Sequence, residues 1–192
     1  MMARPKDTNK IDLIYKAALN LVVKIGYVEL KMSDVAKEAG IATGTLYIYF
    51  SNKEDLINKL YLHLKKQNTK EITLGYVPSD PFFANFKRVW YKYLEISRRD
   101  SHQMMFLEQY FRSPYLREET KQQTENLLSP IAELIVSGQQ QGLVKEVPAG
   151  ILLSYLIGAV NEIVKVHFDK NEKITQATID ACFEMSWHSI KR

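Results

Sequence analysis

The chain has 192 residues, of which 46% are hydrophobic and 25% are charged, which is typical of a globular protein of one or two small domains. The formal net charge of +4 permits a nucleic-acid partner without requiring one. The single cysteine, Cys182, excludes an internal disulfide and a multi-cysteine metal site, and we expect a reducing, cytoplasmic location.

The first eight residues form a polar, basic arm. Two interpretations stay open: a frayed terminus, or a segment in which Arg4 contacts the DNA minor groove or a phosphate. No apolar run follows the basic residues, so we predict no signal peptide. The most apolar run of the chain, residues 151–160, is far shorter than the roughly 20 residues that cross a bilayer. We therefore expect no membrane partner.

A first helix is predicted over about residues 8–25. Its apolar residues recur at helical spacing and form a single stripe. The stripe consists of Ile11, Ile14, Tyr15, Ala18, Val22 and Ile25. Gly26 is predicted to end this helix.

The next two predicted helices are short and are joined by a tight turn. Ser33 is predicted to cap the first of them, and Gly40 supplies the left-handed backbone that ends it. Thr43 is predicted to cap the second, which places Leu46 and Phe50 toward the core. Two such helices with a polar and aromatic outer face form a helix-turn-helix, whose second helix fits the DNA major groove.

A longer helix is predicted to follow, reaching about residue 73. Its N-terminus is predicted to carry a capping box, in which Ser51 caps the helix and Glu54 bonds back to the Ser51 amide. A helix N-terminus offers free amides to an anion, so Lys53 in this first turn is interpreted as a phosphate clamp. A solvated lysine is the alternative.

The residues of this region resemble the DNA-binding signature of TetR-type (TetR/AcrR) bacterial transcriptional regulators. The resemblance depends on Val35-Ala36, Ala39-Gly40-Ile41, Gly44-Thr45-Leu46-Tyr47, Tyr49-Phe50, Lys53-Glu54 and Leu56. It extends over about residues 10–64, and the rest of the chain resembles the family only in the number and length of its helices. The resemblance implies an all-α fold of about nine helices, with a three-helix DNA-binding head and a larger helical bundle.

The resemblance also implies which residues contact double-stranded DNA. The candidates are Ser33, Thr43, Gly44, Thr45, Tyr47, Tyr49 and Lys53, with Arg4 in the arm. Thr43 and Gly44 are expected nearest the base edges, and Thr45 and Tyr47 at phosphates or thymine methyls. Tyr49 is expected at the backbone. Ile48 receives no assigned role.

Residues 75–81 break the chain and give the best boundary between head and body, although one helix belongs to both. Counting that helix with the body, we predict a helix-turn-helix domain over 1–52 and an effector-binding and dimerisation domain over 53–192.

Four further helices are predicted before the last. Asp80 and Pro81 are predicted as the cap and first position of a helix reaching about residue 99. Ser101 is predicted to cap a short helix. Ser113-Pro114 are predicted to start a long helix reaching about residue 141, and Pro130 to kink or split it. Pro148 starts a helix that is apolar almost all round.

The last predicted helix, over about residues 175–190, also has more apolar surface than one packed face requires. Spare apolar surface on the two final helices fits a self-complementary two-fold interface. The family resemblance implies that these helices form a four-helix dimer bundle, so we expect a homodimer that binds a pseudo-palindromic operator.

Aromatic residues and methionines are concentrated between residues 82 and 115. A bundle core and a concave site for a small-molecule effector are both compatible with this composition. The candidate effector contacts are Trp90, Tyr93, Met105, Glu108, Gln109 and Tyr110. Aromatic faces beside the carboxylate of Glu108 would suit a cationic or aromatic compound.

No arrangement typical of catalysis is present in the sequence. GxSxG, P-loop, GxGxxG and HExxH motifs do not occur, and the four histidines are scattered. We expect no enzyme, no cofactor and no metal. The sequence predicts a DNA-binding transcriptional regulator, specifically a repressor that an unknown small-molecule effector releases. The alternative is a dimeric helical ligand-binding or protein-interaction module without operator recognition.

Overall fold

The structure, a computed structural model, describes residues 8–192 and folds this part of the chain into nine α-helices. They are α1 (Thr8–Glu29), α2 (Met32–Glu38), α3 (Thr43–Tyr49), α4 (Lys53–Ile72), α5 (Phe82–Arg99), α6 (Ser101–Phe111), α7 (Glu118–Gln140), α8 (Ala149–Asp169) and α9 (Gln176–Ile190). The predicted all-α fold class is confirmed. Arg4 lies outside the described residues.

Two glycines shape the head as the sequence predicts. Gly26 adopts φ 79° and ψ 164° and interrupts the helical backbone of α1 near its C-terminal end. Gly40 adopts φ 68° in the turn between α2 and α3. Positive φ of this kind strains a residue with a Cβ atom, so glycine is the residue that fits both turns.

The two predicted caps of the helix-turn-helix are wrong, the first by two residues and the second by one. α2 begins at Met32, and its cap position is Lys31, which makes no side-chain capping bond. α3 begins at Thr43, and its cap position is Ala42, again without a capping bond. Ser33 and Thr43 therefore lie inside the first turns, where a hydroxyl cannot cap its own helix.

The capping box of α4 is also displaced by one residue. The side-chain oxygen Oδ1 of Asn52, not Ser51, accepts the amide of Asp55 at 2.8 Å. Oδ2 of Asp55, not the carboxylate of Glu54, accepts the amide of Ser51 at 3.0 Å. Burial alone would raise the pKa of Asp55, but hydrogen bonds from Lys59 and Ser51 outweigh it and hold this pKa below its usual value.

Asp80 and Ser101 do not cap helices as predicted. Pro81 occupies the cap position of α5, and the carboxylate of Asp80 instead pairs with Arg88 at 3.1 Å. At α6, Oδ1 of Asp100 accepts the amide of Gln103 at 2.9 Å. An aspartate directly before Ser101 takes the cap, because a carboxylate accepts amide hydrogen bonds strongly.

α7 differs from the predicted long helix in two respects. It starts at Glu118, so Ser113 and Pro114 belong to the turn before it. It also continues as one helix through Pro130 to Gln140, so the predicted split is wrong and the predicted kink stays a prediction. Ser113 ends α6 rather than starting α7: its amide and its hydroxyl both donate to the carbonyl of Tyr110.

Contacts divide the described residues into two compact units. Unit 1 contains the residues up to Leu64 and residues Phe106–Lys121, and unit 2 contains Lys65–Met105 and Gln122–Arg192. This grouping differs from the predicted division at residue 52, which as a functional boundary stays a prediction. α4, α6 and α7 each contribute residues to both units.

Each unit has its own apolar core. In unit 1, α1, α2 and α3 pack around Ile14, Val35 and Leu46, and α4 and α6 add Leu60 and Tyr110. Leu46 and Phe50 are both buried, as predicted. In unit 2, α5 packs against α8 and α9 around a cluster with the following buried members: Phe82, Phe86, Trp90, Leu94, Met104, Leu134, Ile135, Val144, Leu152, Leu156, Val160, Val164, Ile179, Phe183 and Ile190.

α8 is long and apolar enough, by length and composition alone, to cross a membrane, and core helices of soluble proteins pass the same test. One face of this helix supplies Leu152, Leu156 and Val160 to the core of unit 2. The opposite face also carries apolar side chains, including Ile151 and Tyr155, and these are exposed.

Candidate DNA interface and ligand site

The outer face of α3 is exposed over its whole length. Thr43 and Gly44 are exposed at its start, and Thr45 and Tyr49 are half-buried along one edge. Tyr47 and Ile48 are 52% and 71% exposed. Two large apolar side chains left in water on a helix of seven residues indicate a surface that a partner covers.

Gly44 has no packing role inside the protein. An added Cβ atom would meet no heavy atom within 4 Å. A side chain at this position would therefore fit without a clash inside the protein. Because glycine has none, another molecule can come closer to the backbone at the start of α3. Ser33, on the neighbouring α2, is exposed as well.

Lys53 makes contacts that the sequence does not predict. Its ammonium Nζ donates to the carbonyls of Tyr27 and Val28 at 3.0 Å each. It also lies 4.6 Å from the centroid of the Tyr27 ring. An ammonium has three N–H donors, so a phosphate would take the third or compete for the others. The phosphate role of Lys53 stays a prediction beside this structural one.

A buried polar cluster joins the α6–α7 turn to α4 within unit 1. Nδ2 of Asn58 donates to the carbonyls of Glu54 and Tyr115, at 2.9 and 3.0 Å. Its Oδ1 accepts the amide of Arg117 at 3.0 Å. Burial raises the pKa of Tyr110, so its hydroxyl stays protonated and donates to the carbonyl of Tyr115 at 3.0 Å. Sequence analysis missed this cluster.

One further contact closes the same cluster at the surface. Nε of Arg117 donates to Oε1 of Glu54 at 2.5 Å. The Tyr27 and Tyr115 rings lie 4.1 Å apart. The signal in the sequence is Asn58 itself, an amide inside the apolar stripe of α4. Its partners, 57 and 59 residues further along the chain, leave no local pattern.

The six predicted effector contacts divide between the two units. Trp90, Tyr93 and Met105 belong to unit 2, and residues 108–110 belong to unit 1. Tyr110 is committed to the buried cluster of unit 1, and Gln109 is exposed. Glu108 and Trp90 therefore belong to different units, and the predicted cationic or aromatic effector stays a prediction.

The core of unit 2 contains a polar group without a partner. Trp90 is 4% exposed, and its indole Nε1 has no hydrogen-bond acceptor among the residues that the structure describes. One turn further along α5, the hydroxyl of Tyr93 donates to Oδ1 of Asn161 on α8 at 2.6 Å. Asn161 is a buried amide beside the apolar stripe of α8, a position that the sequence alone shows.

The surroundings of Trp90 are aromatic and sulfur-containing. Its ring lies 5.2 Å from the ring of Tyr91 and 5.3 Å from that of Phe183, both edge to face. The same cluster includes Met104 and Met105. The buried polar side chains that the structure describes in unit 2 are the amides of Asn85 and Asn161 and the hydroxyls of Thr69, Ser97, Thr124 and Ser186. Burial also lowers the pKa of Lys65, at the start of this unit, to about 8. In the same part of the chain, 8–192, no three His, Cys, Asp or Glu side chains are grouped as metal ligands.

Comparisons with known proteins identify relatives for both parts of the chain. Residues 14–60 match the family model described as bacterial regulatory proteins, tetR family. Residues 81–191 match the model described as tetracyclin repressor-like, C-terminal domain. A helix-turn-helix transcriptional regulator of Bacillus subtilis strain 168, YhgD, is 31% identical over 163 residues, which cover 81% of this chain and 84% of YhgD.

Solved structures have the same fold. A TetR family transcription regulator from Marinobacter aquaeolei VT8 matches with a TM-score of 0.90 at 21% identity, covering 98% of this chain and 99% of its own. The transcriptional regulator FadR from Bacillus subtilis, solved in complex with stearoyl-CoA, matches with a TM-score of 0.73 at 20% identity and covers 91% and 96%.

Proposed function

The chain belongs to the TetR family of DNA-binding transcriptional regulators, and from this premise we propose that it is a homodimeric repressor that an acyl compound releases from its operator. The family is one of regulators and not of enzymes. The exposed outer face of α3 is the observation that carries the proposal.

The operator contacts are proposed for the exposed residues of α3. Thr43 and Gly44 would lie nearest the base edges, with Tyr47 at a phosphate or a thymine methyl. The exposure of Tyr47 supports this assignment, and that of Ile48 adds a second apolar contact that the sequence left unassigned. Ser33, Thr45, Tyr49 and Lys53 are proposed contacts at the edges of this face.

The dimer is proposed to form through α8 and α9. Ile151 and Tyr155, one turn apart on α8, are 59% and 58% exposed, and Met185 on α9 is 72% exposed. Gly158, the next position of the same stripe, has open space around it. An apolar face of this kind suits a two-fold interface, and a stable one buries about 1,200–2,000 Å² in total.

An acyl effector is proposed for the core of unit 2. The buried cluster around Trp90 is apolar, aromatic and methionine-containing, which suits a hydrocarbon chain better than a cation. The fold shared with FadR, which was solved with stearoyl-CoA, supports a long-chain acyl compound as the first class to test. By linkage, an effector that weakens operator binding must itself be bound less tightly by the operator complex.

Selection of duplexes from a random DNA library by the purified protein tests the function. We expect one pseudo-palindrome to be enriched, with half-sites about 34–36 Å apart or a multiple of this. Tyr47→Ala should fail to enrich it, and Tyr76→Ala, a substitution in unit 2, should enrich it as the wild type does. A folded dimer that enriches no sequence at moderate salt would contradict the regulator function and favour a helical module without operator recognition.

A further inference from the structure

We infer that the indole N–H of Trp90 donates the hydrogen bond that orients the effector, and that its acceptor is the carbonyl oxygen of the effector's acyl group. The inference rests on the proposed function, since it concerns the same core of unit 2. It specifies that the donor is the indole N–H of Trp90 and that the acceptor is a carbonyl oxygen, and this pair selects acyl compounds.

The first step is the cost of the unpaired donor. Trp90 is 96% buried, because only 4% of it is exposed, and its Nε1 has no acceptor within the described chain. A buried donor without a partner costs about 1–3 kcal/mol. Folded proteins contain few such groups, and each one indicates a missing partner such as a ligand or a water molecule.

The second step is the choice between those two partners. A buried water needs two to four hydrogen-bonding groups. The neighbours that the structure gives Trp90 are the rings of Tyr91 and Phe183. The hydroxyl of Tyr91 donates to Asp180 at 2.9 Å, and that of Tyr93 donates to Asn161. These neighbours favour a ligand whose single acceptor is attached to an apolar body.

The third step is the kind of acceptor. An indole N–H donates and does not accept, so it selects an oxygen or nitrogen lone pair and rejects an ammonium, which has none. A hydroxyl could accept this bond, but its own O–H would then need a further acceptor in an apolar surrounding. The side chains in ring contact with Trp90, Tyr91 and Phe183, are uncharged, so a charged group bonded to the indole would have no opposite charge directly against it. An ester-like or thioester carbonyl is neutral, accepts one bond and continues into a hydrocarbon chain.

A pair of ligands that differ in this one group tests the inference. Palmitoyl-CoA carries the thioester carbonyl, and S-hexadecyl-CoA has a methylene in its place. Their dissociation constants for the full-length dimer are measured by calorimetry below their micelle thresholds. We expect the wild type to bind the thioester about tenfold more tightly, the fold-change that corresponds to one satisfied buried donor.

Two tryptophan variants localise the effect. Trp90→Phe keeps an aromatic ring and removes the donor, so it should bind the two ligands with equal affinity. Trp187→Phe is the matched control, because Trp187 packs in the same cluster, and it should keep the tenfold preference. Equal affinities in the wild type, or a preference that survives in Trp90→Phe, would overturn the inference.

A second measurement needs no variant for its readout. The chain has two tryptophans, so ¹⁵N-labelled protein gives two side-chain indole resonances, which Trp187→Phe assigns. Palmitoyl-CoA should move the Trp90 indole proton downfield, as hydrogen bonding does, and S-hexadecyl-CoA should not. A ligand-free Trp90 proton that already lies downfield, with a cross-peak to an internal water, would assign the partner as water and overturn the inference.

Failure here is distinguishable from failure of the proposed function. If neither ligand binds while the protein still selects an operator, the acyl assignment falls and the regulator stands. If both ligands bind equally and both release the operator, the effector site stands and the role of Trp90 falls.

Discussion

Gly44 is the residue at which stability and function are most clearly separated. Glycine inside a helix costs about 1 kcal/mol relative to alanine, and α3 has only seven residues over which to recover that cost. Yet an added Cβ atom at Gly44 would meet nothing within 4 Å. Internal packing therefore does not require glycine at this position. We infer that glycine is needed because another molecule approaches the start of α3 closely.

We therefore expect Gly44→Ala to keep the free energy of unfolding or to raise it by up to about 1 kcal/mol, because alanine favours the helix. The same change should weaken operator binding about tenfold or more, since a methyl group in a tight contact costs about 1–3 kcal/mol. Urea unfolding and fluorescence anisotropy on one DNA duplex measure the two quantities.

Gly150→Ala is the matched control for this prediction. Gly150 is the second residue of α8, as Gly44 is of α3, and an added Cβ atom there also meets nothing within 4 Å. The Gly150→Ala variant should gain the same free energy of unfolding as Gly44→Ala and should bind the operator with wild-type affinity. Full operator affinity in Gly44→Ala would remove Gly44 from the interface.

At the scale of elements, side-chain hydrogen bonds within unit 1 fix the turn between α6 and α7. Asn58 on α4 bonds both sides of this turn, through the carbonyl of Tyr115 and the amide of Arg117. Asn58 is buried, so these bonds are protected from water. Packing alone would allow the turn to slide, and the amide fixes its register.

Asn58→Leu keeps the size of the side chain and removes all of these bonds. It should lower the free energy of unfolding by about 1–3 kcal/mol for each buried group left unpaired. Lys66→Ala, an exposed substitution on the same helix, should change it by less than about 0.5 kcal/mol. Both are measured by urea unfolding. An Asn58→Leu variant as stable as the wild type would mean that water replaces the lost partners.

At the scale of the whole molecule, the outer sides of α8 and α9 carry exposed apolar side chains. Ile151, Tyr155 and Phe168 are exposed on α8, and Met185 is exposed on α9. Exposed apolar patches on two neighbouring helices are typical of an interface between copies of one chain.

Tyr155→Glu should convert the proposed dimer into a monomer in sedimentation experiments, because it would bury one unpaired carboxylate from each protomer in the two-fold interface. Operator affinity should fall with it, since one head reads only one half-site. Leu74→Glu is the control: Leu74 is 64% exposed and lies outside the last two helices, so this variant should stay dimeric. A dimeric Tyr155→Glu variant together with a monomeric Leu74→Glu variant would place the interface on another face of the protein.

The helices and the head were predictable, because local periodicity and glycine positions determine them. Leu46, Phe50, Gly26 and Gly40 have the burial or the backbone that the sequence predicts. The caps were off by one residue wherever two polar residues adjoin, as at Asn52 beside Ser51, because the sequence cannot say which side chain wins the first-turn amides.

The buried groups were not predictable in the same way. Trp90 was named as an effector contact, but nothing local indicates that its N–H lacks an acceptor. The grouping of residues 106–121 with the head also depends on contacts between residues far apart in the chain. Such contacts are specified by the complementary shapes and hydrogen bonds of distant segments, which no local pattern records.

That grouping has a consequence during synthesis on the ribosome. Residues up to Leu64 emerge early, but their unit is complete only when Lys121 has followed. At about 5–20 residues/s, the synthesis of residues 65–121 takes seconds. During this time Leu60 and Tyr61 lack the core residues that the later segment 106–121 contributes. We therefore expect that the DNA-binding part of this chain, when it is transferred to another protein, needs residues 106–121 as well as the continuous stretch up to Leu64.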